Sequence, residues 1–225
     1  MIFNSLDFHL HSQYGEEPIN LIRPFRLRMN HIVDSFSMRI PKKIKTMSFH
    51  KLNVSVCYKR GQRDPFFAME GIGMVEIVEP NIASIYQTSG AETGKRVKGY
   101  LRRGIRIAAK SDALFARHLD LWNELLSTVD EEFDFDLRMS RSHRSRRWAC
   151  EAIMRITPTA YHYDVLVKES KSQRTIQRHR IKTTEPAFPF YRGVGFSKIR
   201  WDGGDIVGLS KDDKEVFRFN AELPA

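Results

Sequence analysis

The chain has 225 residues, 41% of them apolar, and a formal net charge of +10 with a pI near 9.7. That length fills one large domain or two small ones, and fifteen phenylalanines argue for a packed core rather than a disordered tail. Apolar runs of a few residues exclude a membrane-spanning helix, and the first 17 residues lack the basic cluster and apolar stretch of a secretory leader.

The surplus of cations points to nucleic acid, an anionic surface or an acidic protein as partner, and not to any particular fold. Cys57 and Cys150 lie far apart in strand-like segments. They read as buried thiols of a reducing, cytoplasmic compartment, with a lone bridge between them as the alternative.

Residues 1–45 form an N-terminal arm of uncertain structure. Glu16, Glu17 and Pro18 open a short helix that Pro24 interrupts, and an extended arm or a strand fits equally well. His9 and His11 share one face of any strand here, with no nearby Cys or acidic partner to make them a site. From Ser48 the pattern alternates. Leu52, Val54, Val56 and Tyr58 face one way and Lys51, Asn53, Ser55 and Cys57 the other, as a half-buried strand requires. Gly61 to Pro65 is a turn, and Phe66 to Val78 is a second strand region in which Gly71 and Gly73 mark a bulge or close approach.

A helix is predicted from Thr93 to Lys110, with Ser89 and Glu92 at capping-box spacing ahead of it. Lys95, Lys98, Arg102 and Arg106 recur at steps of three and four, and Arg96, Arg103 and Lys110 widen their face to an arc of about 160° at 100° per residue. Lys95 and Arg96 sit in the first turns, where the macrodipole disfavours cations, so local helix stability did not select them. A second helix, Ala113 to Val129, shows an apolar stripe of Leu114, Leu121, Trp122, Leu125 and Val129. Between Asp130 and Arg147 an acidic run gives way to Arg138, Arg141, Arg144, Arg146 and Arg147, which makes 130–147 the candidate internal boundary of a single domain, 46–225.

From Trp148 the chain reads as successive antiparallel strands: Trp148–Thr157, Ala160–Glu169, Arg174–Thr183, Gly195–Trp201, Asp205–Leu209 and Glu215–Asn220. A Pro-rich stretch, Glu185–Phe190, precedes the last three. The expected fold is α+β, a mostly antiparallel sheet with the helix pair 90–129 packed on it.

Gly90 to Arg96 invites comparison with a phosphate-binding P-loop, but the spacing is one residue short and Arg96 replaces the metal-binding hydroxyl. Arg192 to Ile199 resembles the core strand motif of RNA-recognition-motif domains at the basic residue, both glycine positions and the central aromatic. Val194, Ser197 and Ile199 depart from that motif, and Val194 removes a base-stacking platform, so a glycine-flanked strand with Phe196 in the core is the expectation. A two-residue turn at Ser170-Lys171 sets His162 opposite His179, a pair suited to metal-free acid–base cleavage of a phosphodiester. Solvent-facing or hydrogen-bonded histidines are the plainer reading.

These patterns favour a binding protein over an enzyme, with no cofactor and no metal. The expected ligand is a polyanion, RNA or DNA, held by Lys95, Lys98, Arg102, Arg103 and Arg106 with help from Arg141, Arg144, Arg146 and Arg147. The alternatives are an inhibitor or toxin-immunity protein that recognises an acidic partner, and a metal-free nuclease using His162 and His179.

Overall fold

The computed structural model describes residues 1–11, 19–58, 64–86, 90–129, 132–157, 159–185 and 195–224. Its elements begin β1 (Ser5–His11), α1 (Ile19–Arg39), β2 (Lys51–Cys57), β3 (Phe66–Met69) and β4 (Ile72–Val78). The helices α2 (Ala83–Tyr86), α3 (Gly90–Ser111), α4 (Ala113–Ala116) and α5 (Leu119–Thr128) follow. Among the described residues seven strands follow: β5 (Phe133–Ser142), β6 (Trp148–Ile156), β7 (Tyr161–Glu169), β8 (Thr175–Thr184), β9 (Lys198–Asp202), β10 (Asp205–Leu209) and β11 (Glu215–Asn220). Contacts divide them into two compact units, Met1–Glu131 and Glu132–Ala225.

In the first unit the strand order is β1-β2-β4-β3. Leu52, Val54 and Val56 of β2 are completely buried, as the alternation requires, but Ser55 and Cys57 on its other face are buried as well, so this strand is not the half-buried one expected. Tyr58 lies beyond the strand and is exposed. β1 and β4 flank β2 in parallel, and β3 is an antiparallel edge. This sheet is therefore mixed, whereas a mostly antiparallel one was expected; antiparallel pairing dominates among the described strands.

The reason lies in residues 1–45, which supply β1 and the helix that carries the chain between parallel neighbours. α1 runs through Pro24, which forfeits one intrahelical hydrogen bond without ending the helix. Met29, Ile32, Val33 and Phe36, spaced along one helical face, are buried in the core and stabilise it against that loss.

Two further boundaries differ from expectation. Phe66 to Val78 is a hairpin, turned at Glu70 and Gly71 with φ of 52° and 78°, and not one bulged strand. Gly71 also answers a close approach, since a Cβ there would lie 2.6 Å from the His50 ring. The predicted helix 113–129 breaks into α4 and α5 around Arg117 and His118. Buried Asp112 caps α4 through the Phe115 N–H and accepts from the Met47 N–H as well, at 2.9 and 2.7 Å. Trp122 of α5 stacks on Phe115 at 5.1 Å and meets Phe3 edge-on at 5.3 Å, closing an aromatic core with Phe36 and Phe49.

The second unit holds two antiparallel sheets, β5-β6-β7-β8 and β11-β10-β9. The charge-inverting stretch 130–147, the candidate internal boundary, is mostly strand β5 among its described residues, with Arg138 in the left-handed region (φ 58°) where the ladder shifts register. Its acids pair across strands, Asp134 with Arg178 at 3.2 Å, and Glu132 accepts from Arg155. Phe196 is buried and meets Phe217 edge-on, the core role expected of it. Arg192, Gly193, Val194, Ser89, Glu16, Glu17, Pro18 and the turn residues 61–63 lie outside the described residues.

Cys57 and Cys150 are both buried free thiols, and burial pushes Cys150 up to about 11. No described helix is long and apolar enough to cross a membrane.

Candidate functional site

α3 carries the cationic face on a well-anchored rod. Thr93, Val97, Leu101, Ile105 and Ala108 are buried along its inner side, and Gly104 rests on Val54 of β2. At mid-helix the Tyr100 hydroxyl donates to Glu79 Oε2 at 2.9 Å; burial first, and then this bond, pushes Tyr100 up to about 12. With one side fixed this way, Lys95, Arg103, Arg106 and Lys110 are exposed, and Arg96, Lys98 and Arg102 half-buried.

The cations are not equivalent. Arg96 is committed to Glu92, at 3.5 Å, and to the Ser84 hydroxyl, at 3.1 Å. Lys95, Arg102, Arg103, Arg106 and Lys110 have no ion-pair partner among the described residues. Three of these line one cleft of about 600 Å³: Arg103, Arg106 and Lys110. At 1.5 Å per residue they span about 10 Å of helix. Ile107 and Ser111 complete the helical wall, and the facing wall is Asp64, Pro65 and Phe66, where the chain enters β3. Phe66 is half-buried and braced edge-on by Phe49 at 5.8 Å. The cleft thus sets three cations and one carboxylate beside an apolar wall with one aromatic ring.

The expected site residues separate on this map. Arg103 and Arg106 come together in the cleft; Lys95, Lys98 and Arg102 lie on α3 but do not line it. Arg141, Arg144, Arg146 and Arg147 are exposed and belong to the second unit, on β5 and the loop that leads to β6. Arg147 lies over the Trp148 ring at 5.2 Å.

Lys110 and Asp64 to Phe66 line the cleft without having been expected there. Lys110, seven residues after Arg103, was recoverable from helical spacing. The opposing wall comes from another strand and left no local signal.

The histidine pair does not form. His162 pairs with Thr183, and its Nδ1 is 3.0 Å from the Thr183 hydroxyl. His179 pairs with Val165 on the other face and stacks on Phe219 at 4.0 Å and 10°. The connection between β7 and β8 spans 170–174, with Gln173 at φ 58°, and two bulges follow, which moves the register away from the two-residue turn expected.

His9, expected to lack an acidic neighbour, has one. Its Nε2 is 3.5 Å from Asp7 Oδ2, which also accepts from Lys51 Nζ at 2.9 Å. Burial alone would raise Asp7, but the hydrogen bonds from His9 and Lys51 outweigh it and hold the carboxyl at about 2. On the same sheet face Asn53 Oδ1, Ser55 Oγ and Glu76 Oε2 are buried without a hydrogen-bond partner, and Ser55 and Glu76 are register neighbours. No cluster of three or more His, Cys, Asp or Glu suited to a metal occurs among the described residues.

Comparison with protein families, with curated proteins and with solved structures gave no match. The functional reading therefore rests on the residues of this chain.

Proposed function

We propose that this protein binds a polyanion, RNA or DNA, without catalysis, through the outward face of α3. One observation carries the reading: Arg103, Arg106 and Lys110, unpaired among the described residues, converge on a single cleft. Surface cations usually share their face with carboxylates, and here Glu92 at the start of α3 is the one acid between Gly90 and Ser111. Cations that outnumber the carboxylates of a cleft focus a positive field there and hold phosphates, and this cleft sets three against Asp64 alone. Lys95, Lys98 and Arg102 extend that field along the helix, and Arg141, Arg144, Arg146 and Arg147 supply a second basic surface in the other unit. Buried thiols suit a cytoplasmic setting.

A second reading, an inhibitor or immunity protein for an acidic partner, is favoured by a different observation. Met1, Ile2, Met47 and Met69 are all more than half exposed. Ile2 bridges Lys45, the Met1 amino group donates to the Thr46 carbonyl, and Met1 Sδ approaches Gly71 of the β3–β4 turn, so these side chains share one region of the first unit. Apolar surface of this kind serves protein contacts better than phosphate contacts.

Capture from lysate with and without nuclease treatment separates the two. Loss of the captured material on nuclease digestion supports the polyanion. Retention of a stoichiometric acidic protein replaces it.

A further inference from the structure

We infer that the cleft between α3 and β3 takes one unpaired nucleotide of a single strand, its phosphate on the cations and its base against the Phe66 wall. The inference rests on the polyanion reading and narrows it to a substrate class.

The two walls of the cleft are unlike. Arg103, Arg106 and Lys110 can hold phosphate oxygens, and Arg in particular can do so with two parallel hydrogen bonds. A surface built for phosphate alone needs no apolar side, yet Pro65, Phe66 and Ile107 form one. The occupant that satisfies both walls is an anion joined to a flat, weakly polar ring. Asp64 repels phosphate, so it faces the other end of such a ligand, where its oxygens can accept from an exocyclic amine or a sugar hydroxyl.

Size and shape agree. About 600 Å³ lies within the range of small-molecule sites and holds a single nucleotide. A duplex keeps its bases paired and stacked, so it reaches the rim with phosphates and leaves the apolar wall empty. An unstacked base can enter, and stacking on an aromatic side chain accepts any base because every base has a π-face. Phe66 is suited to this because Phe49 meets it edge-on and fixes its orientation in advance.

The test measures anisotropy of labelled probes with the full chain: a single-stranded oligonucleotide, the duplex of the same sequence, and inorganic polyphosphate of matched charge. Single strand is expected to bind about tenfold tighter than either of the others, a difference of about 1.4 kcal/mol. Phe66→Leu should remove that advantage and leave polyphosphate affinity unchanged, and Phe66→Tyr should restore it, which separates lost stacking from a damaged core. Equal affinity for all three probes overturns the inference and leaves the polyanion reading intact. Absence of binding to all three overturns both.

Discussion

Gly104 and Val54 meet so closely that a Cβ on Gly104 would stand 2.5 Å from Val54 Cγ2. This contact seats α3 on β2 and thereby turns Arg102, Arg103 and Arg106 away from the sheet.

Gly104→Ala is expected to destabilise the first unit. Alanine in place of glycine normally favours a helix by about 1 kcal/mol. Here the methyl meets a β-branched side chain with little freedom to move, and overpacking of this kind costs about 1–3 kcal/mol. Gly99 of the same helix has nothing within 4 Å of its Cβ position, so Gly99→Ala should be neutral or stabilising. Urea unfolding of the two variants checks the contrast; a stabilised Gly104→Ala refutes the tight seat.

Binding should be strongly salt-dependent. Each phosphate contact contributes about 0.7 to the log–log slope for a single strand, so three contacts at Arg103, Arg106 and Lys110 give a slope of about −2. Changing these three to Gln should flatten the slope by that amount. Arg96→Gln should leave it unaltered, because that guanidinium is already engaged by Glu92 and Ser84. Titrations at several salt concentrations decide between these outcomes.

Asp7 ties part of the first unit's stability to acid. Its carboxyl lies at about 2 in the folded chain against 3.8 for the free group, so the unfolded chain takes up the proton first as pH falls. The stabilisation, about 2 kcal/mol, is present above pH 3.8 and fades as pH drops through 2. Asp7→Asn should therefore be less stable than the parent at pH 6, and the two should converge near pH 2. A constant gap across that range would disprove the linkage.

Asp164 holds the β7–β8 edge of the second unit. It is buried and accepts from Arg178 Nε at 2.6 Å and Arg180 Nε at 2.9 Å. Burial raises its pKa, and the bonds from Arg180 and Arg178 outweigh that and lower it. Asp164→Asn should cost about 1–3 kcal/mol, less than for a wholly buried pair because both guanidinium groups can turn to water. Trp148 and Trp201 fluorescence reports the change, since both belong to this unit.

The two histidines should behave independently. His179→Ala removes a ring stacked on Phe219 and should lower stability by about 0.5–1.5 kcal/mol, whereas His162→Ala removes an exposed hydrogen bond and should change little. A nuclease activity abolished by each single change would restore a joint role that their opposite faces oppose.

The sequence by itself determined what depends on neighbours along the chain. Period-two alternation marked Leu52, Val54 and Val56 as one face of β2, and steps of three and four in α3 divided Val97, Leu101 and Ile105 from Lys95, Arg103 and Arg106. Both periodicities are local geometry, so they survive without knowledge of partners. Only the tertiary structure decided what depends on distant packing. The burial of Met29, Ile32 and Phe36 carries α1 through Pro24, and with α1 comes the parallel pairing of β1 with β2. Left-handed residues at Arg138 and Gln173 bulged or turned the chain where no glycine announced it, and the longer turn at Gln173, with the bulges beside it, moved His162 away from His179. The cleft itself joins one helix to the start of a strand some 40 residues earlier. Arg103 and Arg106 were legible as cations, but their facing Phe66 was decided by the fold, because residues remote in sequence acquire a common wall only when the core between them closes.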